Sequence, residues 1–417
     1  MSEITTYEKT KDSGIEWIGR VPSHWRVHTL YQLVTQVKEK NSNLQEKNLL
    51  SLSYGKIKCK DIDSPDGLLP ASFDGYNIIE DGDIVLRLTD LQNDHTSLRV
   101  GLATERGIIT SAYTTLRPID TSNSKYLYYL LHAFDLKKGF YGMGSGVRQG
   151  LNYAEVKELR VVLPGQDEQN AIVRFLDNQC GQIDSIIEEA KSSIEEYKKW
   201  RASIIFGAVT KGLNPLAEMK DSHIDWIGLV PSHWKLSRIK NELDNLDYLR
   251  EPISAEKREN ILGLYDYYGA SGVIDKIDDY NVDDKVLLIG EDGANLRMRN
   301  LPLVYKAEGK FWVNNHAHIL KVHDDNCYGF IAYLLEAGDY SVFITGSAQP
   351  KLSQFNLMRF PIVIPPLVEQ QKIEAYLDEK CSAIDALIRE KKSLLSELEI
   401  YKRSLILETV TGKRKVV

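Results

Sequence analysis

Residues 12–26, DSGIEWIGRVPSHWR, return at 221–235 as DSHIDWIGLVPSHWK with nearly every apolar and aromatic position kept. A second pair follows the same rhythm: LPGQDEQNAIVRFLDNQCGQID at 163–184 aligns with IPPLVEQQKIEAYLDEKCSAID at 364–385. The chain therefore reads A-B-A-B, and self-similarity on this scale decides the architecture before any local pattern does. The stretches between the repeated pieces, roughly 27–143 and 236–345, show little likeness to each other. One framework carrying two different inserts is the expected result.

The framework has a local physical reading. After Pro164 and Pro365, acidic Asp167, Glu168 and Glu369 sit where a helix begins and meet the positive end of its dipole. A stripe with 3-4 spacing then runs through Ile183, Ile187, Ala190, Ile194, Tyr197, Ile204 and Ala208, interrupted at Arg201. The second copy places Ile384, Ile388, Leu395, Leu398 and Leu405 in the same way, interrupted at Lys391 and Lys402. Gly212 and Gly412 follow as C-terminal stops. Each helix is expected to run about 30 residues, about 45 Å at 1.5 Å per residue. A helix that long with one apolar stripe needs a partner, and the nearest is the other copy. Antiparallel pairing would give the repeat a pseudo-two-fold axis. Arg201, Lys391 and Lys402 then mark places where the pair faces solvent or another subunit. Tyr197, Trp200, Arg201, Leu398 and Tyr401 are candidate subunit-interface residues, because the aromatic side chains widen the apolar face beyond one partner.

Between the helices the pattern turns to short β-rich runs: DIVLRL (83–88), LRVVLP (159–164), KVLLIG (285–290), AHILKV (317–322) and FPIVIP (360–365). Turn signals such as SPDG, EDGD, EDGAN and YGASG separate them. The expected fold is α+β, with two globular α/β domains at 1–163 and 213–363. Two long antiparallel coiled-coil helices, 164–212 and 364–417, join them in a pseudo-two-fold tandem repeat.

Composition narrows the function classes. No run approaches the roughly 18 apolar residues of a membrane span, and the N-terminus has no apolar signal core, so a cytoplasmic protein without membrane contact is expected. Cys59, Cys180, Cys327 and Cys381 stand apart in no zinc-ligand spacing and read as reduced and structural. No metal site is expected. An adenine methyltransferase would need [ND]PP[YF], which Asn214-Pro215-Leu216 does not supply, and no carboxylate cluster suits a nuclease. The chain itself is expected to be non-catalytic. Its net charge of -7 sits awkwardly with DNA binding, which draws on phosphate neutralisation. The first 160 residues balance 20 basic against 20 acidic side chains, whereas 221–363 leans acidic. Any basic face there must be local, with partner subunits contributing charge.

Several polar groups suit DNA contact. GSGVRQGL (144–151) and GSAQPKL (346–352) are matching Gly-rich loops without the GK[ST] of a phosphate loop. They carry Arg148 and Gln149 in one copy, Gln349 and Lys351 in the other, and read equally as DNA-contacting or as plain loops. In the second insert Arg297 and Arg299, and Asn314, Asn315 and His316 with His318 nearby, can address base edges or can be solvated loop residues. In the first, Arg87, Thr89, Ser111 and Tyr113 lie in polar turns after strands, while Lys56, Lys58 and Lys60 form either a phosphate contact or a guarded sheet edge. His24 and His233, each in a PSHW turn, read as framework with the tryptophan packed inward.

The doubled WIGxVPxHW entry, the PxxxEQxxIxxxLD helix start and the TxG ending at 210–212 resemble the specificity subunits of Type I restriction-modification enzymes, in the family's order and over essentially the whole chain. The first copy departs from the motif at PGQDEQ. The resemblance implies two target recognition domains reading an asymmetric, bipartite double-stranded DNA site, with half-sites about 34 Å or one turn apart. It also implies assembly with two methyltransferase subunits and with motor-nuclease subunits. S-adenosylmethionine, ATP and Mg would belong to those partners, and this chain would bind no cofactor. The rival expectation is a scaffold that pairs two partner subunits through its helices and never touches DNA.

Overall fold

The computed structural model describes residues 5–62, 70, 72–94, 96–143, 150–259 and 263–416. Two helices dominate: Gln166–Lys211 with 46 residues and Leu367–Val410 with 44. Both start just after Pro164 and Pro365, where the acidic residues place them, and run longer than the expected length of about 30 residues. Ile172, Leu176 and Cys180 on the first, and Ile373, Leu377 and Cys381 on the second, pack into globular cores about three turns before the heptad-like stripe begins. Each helix ends as expected, on a left-handed glycine, with φ of 71° at Gly212 and 68° at Gly412.

The chain divides into two compact units, Met1–Ala190 with Lys392–Val417, and Lys191–Lys391. Each unit thus holds the start of one long helix and the end of the other. In the first, Lys402 Nζ lies 2.6 Å from Asp184 Oδ1; in the second, Arg201 Nε lies 3.2 Å from Asp385 Oδ1. Moving forward along one helix meets the other in reverse, so the pairing is antiparallel. Arg201 and Lys402, the interruptions of the stripe, are partly exposed and also bound across the helix pair. Each base is matched to an aspartate of the facing helix.

The inserts differ as their sequences do. The first unit builds two four-stranded sheets, one ordered Lys56–Lys60, Leu49–Ser53, Gly107–Ile109, Asn77–Ile79, the other Val34–Gln36, Thr114–Pro118, Ile84–Leu86, Val100–Leu102. The second builds one six-stranded sheet, ordered Leu243–Asn245, Ala317–Val322, Val282–Gly290, Val304–Val313, Tyr265–Gly269, Gly272–Ile277. Both inserts leave and return through the same device. Arg26–Thr29 pairs antiparallel with Arg160–Leu163, and Lys235–Arg238 pairs antiparallel with Pro361–Ile364.

The repeated motifs are the glue between insert and helix. Trp25 and Trp234 are buried, each on a turn whose backbone N–H donates to the preceding proline carbonyl, Pro22 or Pro231, at 3.0 Å. The neighbouring histidine reaches the first turn of the helix, His24 to Glu168 and His233 to Glu369, both at 2.8 Å. Gln169 donates to the Pro164 carbonyl and Gln370 to that of Pro365, both at 2.9 Å. Tyr129 donates to Asp177 at 2.8 Å, and Tyr333 to Asp378 at 2.7 Å. Every polar letter of the EQ and LD motifs thus has a partner, and the apolar ones fill the core. The PGQDEQ departure alters none of this.

Candidate nucleic-acid interface

In the second unit, three chain segments meet beyond the end of the strand Val282–Gly290. The Glu291 N–H donates to the His316 carbonyl at 2.8 Å, and Leu352 N–H to the Glu291 carbonyl at 2.7 Å. Gly293 N–H reaches Pro350, and Arg297 donates to the Gly346 carbonyl at 3.1 Å. The turn Asn314–His316 and the 345–351 loop are therefore fixed to the same strand end, which brings Arg297, Asn314, Asn315, His316, Gln349 and Lys351 into one cluster.

Their surroundings differ. Asn314 is buried and uses Oδ1 to hold the His316 N–H at 2.8 Å, so it shapes the turn. Asn315, His316, Gln349 and Lys351 are exposed. Lys351 faces Glu291 at 2.9 Å. Burial pulls the Glu291 carboxyl upward, but bonds from Arg250 and Lys351 outweigh it and hold it below the ordinary range. Arg299 turns back into the fold, donating to the carbonyls of Glu336 and Gly338 with its guanidinium 5.7 Å over Tyr340. Among the described residues no carboxylate pairs with Arg297.

Beneath the cluster lies a polar group that the sequence does not announce. His318 is fully buried, with Nδ1 2.6 Å from Asp247 and Nε2 2.8 Å from the Leu352 carbonyl. Arg250 joins Asp247 at 3.3 Å and also reaches Glu291. Buried charges add little net stability, so their value lies in fixing which segments meet.

The first unit reaches a comparable result with one side chain. Arg99 is fully buried and donates to the carbonyls of Arg87 at 3.1 Å, Thr89 at 2.7 Å and Asp90 at 3.2 Å, and to that of Asp94. Its Nε donates to Tyr141 Oη at 2.9 Å, and Tyr141 in turn donates to the Asp94 carbonyl. The 87–94 loop is thereby wrapped around a guanidinium. Register pairs Thr114 with Leu86, which sets the 110–113 turn, with exposed Ser111 and half-buried Tyr113, beside Arg87. Leu151 N–H bonds the Leu88 carbonyl at 2.9 Å, as Leu352 bonds Glu291 in the other unit. Arg148 and Gln149 lie outside the described residues. Lys56, Lys58 and Lys60 stand exposed on the edge strand of the other sheet.

On the helices, Trp200 and Tyr401 occupy equivalent repeat positions and are exposed, by 53% and 47%. Ile186 and Leu387, equally equivalent and equally exposed, were hidden in the sequence by their neighbours in the stripe. Tyr197 is half-buried, and Leu398 packs against the core of its own unit. Among the described residues no cluster of three His, Cys, Asp or Glu side chains could hold a metal, and no helix is long and apolar enough to cross a membrane. All four cysteines are free; burial pushes the Cys180 and Cys327 thiols up to about 11.

Residues 231–397 match the Type I restriction modification DNA specificity domain. A putative type I restriction enzyme specificity subunit of Haemophilus influenzae is 32% identical over 146 residues, covering 35% of this chain and 36% of its own. The putative MjaX specificity subunit of Methanocaldococcus jannaschii is 23% identical over 239 residues, 54% of each chain. The matched stretches thus span from about a third to about half of these relatives' lengths. A chain from a solved type I R-M system superposes with a TM-score of 0.68 at 14% identity, covering 94% of this chain and 98% of that one, a likeness of fold.

Proposed function

We propose that the chain is a Type I restriction-modification specificity subunit that reads a split DNA site, one half with each insert, and carries out no chemistry of its own. The family match and the Haemophilus influenzae relative support this reading. The observation that carries this reading is the contrast between what is repeated and what is not. The motifs that fasten an insert to a helix recur in both copies with their key residues kept, while the sheets and loops held by that framework are unlike. A protein whose two copies had one task would keep the loops alike. Unlike loops on like frameworks suit two different half-sites.

The partners follow from the same symmetry. Trp200 and Tyr401 offer one exposed aromatic face per unit, which fits two copies of a single partner, the methyltransferase subunit, with motor-nuclease subunits added to that core. S-adenosylmethionine, ATP and Mg would be held by these partners. A cytoplasmic complex is the setting for such a system. With a net charge of -7, the chain depends on partner charge for much of its affinity.

Exchanging residues 27–160 for the corresponding insert of a relative, then mapping methylated adenines genome-wide, tests the reading. One half-site is expected to change and the other to persist. Change in both halves, or in neither, would overturn it. Filter binding of the complex at rising salt separates it from a pure scaffold, which would show no steep salt dependence. Methyl transfer by the isolated chain would contradict the non-catalytic role.

A further inference from the structure

We infer that His316, oriented by Asp292, is a specificity-determining residue of the second unit whose Nε2 accepts a hydrogen bond from an exocyclic base amine in the major groove. The inference deepens the DNA-reading function proposed above and rests on it.

His316 lies in the short connection between the strands Val304–Val313 and Ala317–Val322. Its backbone is held from both sides, with the N–H bonded to Asn314 Oδ1 at 2.8 Å and the carbonyl accepting from Glu291 N–H at 2.8 Å. The Asn314 N–H in turn donates to the Tyr268 carbonyl at 3.1 Å. The side chain is fixed as well: Nδ1 lies 2.7 Å from Asp292 Oδ2, and Asp292 is bridged through its backbone to Lys351.

Yet the imidazole is 48% exposed, against 18% for Asp292. A histidine ring immobilised at two levels while remaining half in solvent does not serve the core. With the ring 48% exposed, its removal would open no enclosed cavity. Immobilisation of an exposed polar tip lowers the entropy lost when it meets a ligand. In the tautomer whose Nδ1–H donates to the Asp292 carboxylate, Nε2 is left as an acceptor. In the major groove an acceptor is complementary to cytosine N4 or adenine N6, and not to the acceptor edge of guanine or thymine. Arg297, with its charge unmatched by a carboxylate among the described residues, stands on the same cluster and suits the adjoining phosphate.

The test uses the full chain co-expressed with the methyltransferase subunits of its system, wild type or carrying His316→Ala or Asp292→Ala. Methylated adenines are mapped, and the purified complexes compete a cognate duplex against duplexes substituted at each half-site position. Expected for His316→Ala is a fall of about tenfold in discrimination at one A·T or C·G position of one half-site, with the other half-site and the thermal unfolding midpoint unchanged. Asp292→Ala should weaken discrimination at that same position. A wild-type complex that methylates no bipartite motif would sink the proposed function itself. A wild-type motif retained unaltered by both variants, or altered in the other half-site, overturns the role of His316 alone.

Discussion

Asp184 and Lys402, 218 positions apart in the chain, meet at 2.6 Å, and the repeat counterparts of these two residues, Asp385 and Arg201, meet at 3.2 Å. The same ion pair is therefore made twice with the roles of the helices exchanged, each helix giving its acid early and its base late. A duplicated sequence folded back on itself must pair this way if its two copies are equivalent.

The pairs set register more than they add stability. Each is partly exposed, so Asp184→Asn or Asp385→Asn is expected to cost no more than about 1 kcal/mol in denaturant titrations. Reversing one pair, Asp184→Lys with Lys402→Asp, should recover most of what Asp184→Lys alone loses. Failure to recover would show that the helix contact is set by the apolar stripe only.

The two terminal glycines should not be equally replaceable. Both have positive φ, which costs an L-residue roughly 1–2 kcal/mol. A Cβ on Gly412 would also lie 2.3 Å from the Pro22 ring, whereas on Gly212 the nearest atom is Glu369 Oε1 at 3.1 Å, the end of a flexible side chain. Gly412→Ala is expected to destabilise by more than about 2 kcal/mol and Gly212→Ala by about 1, measured by chemical unfolding. Equal losses would mean that the proline ring yields freely.

Asp135 should give the first unit a pH-dependent stability. Burial pushes its carboxyl up from 3.8 to about 6, against the opposing bond from the Arg99 N–H. The folded state thus binds the proton more tightly than the unfolded chain, and the stabilisation is complete below pH 3.8 and lost as pH rises through 6. At about 1.4 kcal/mol per unit the ceiling is roughly 3 kcal/mol. Asp135→Asn should flatten the pH 4–6 portion of the stability profile relative to wild type; an unchanged slope would refute the assignment.

The framework was legible because duplication acts as its own control: a letter kept in both copies had to be doing the same work, and Trp25, Glu168 and Asp177 all prove to bind insert to helix. What was not legible lay in single copies or at long range. Arg201 and Lys402 looked like solvent-facing breaks because the matching aspartates lie in the other repeat, 218 positions away for Lys402. The helix starts were legible, but the expected length of about 30 residues fell short because it spans only the stripe and leaves out the docking turns around Ile172 and Ile373. His318 stood only as a neighbour of the candidate loop, because its partner Asp247 lies 71 positions earlier. Among the candidate DNA contacts, those sharing a strand end came together, while Arg299 proved committed to backbone carbonyls.

Arg99 was the least visible of all, one arginine just before the short strand Val100–Leu102, and it bears the most specific prediction for the first unit. Its planar fork serves the carbonyls of Arg87, Thr89, Asp90 and Asp94 at once, a task that a lysine ammonium on a single flexible stem cannot copy. Arg99→Lys keeps the charge but leaves some of these carbonyls without a donor, at an expected cost of about 2–4 kcal/mol. Because the 87–94 loop carries Arg87 and Thr89, the complex should also lose discrimination in the half-site read by the first insert while keeping that of the second. Mapping methylated adenines at a temperature where the variant remains folded separates this from simple instability: global unfolding would erase both half-sites together, whereas a loosened loop erases one.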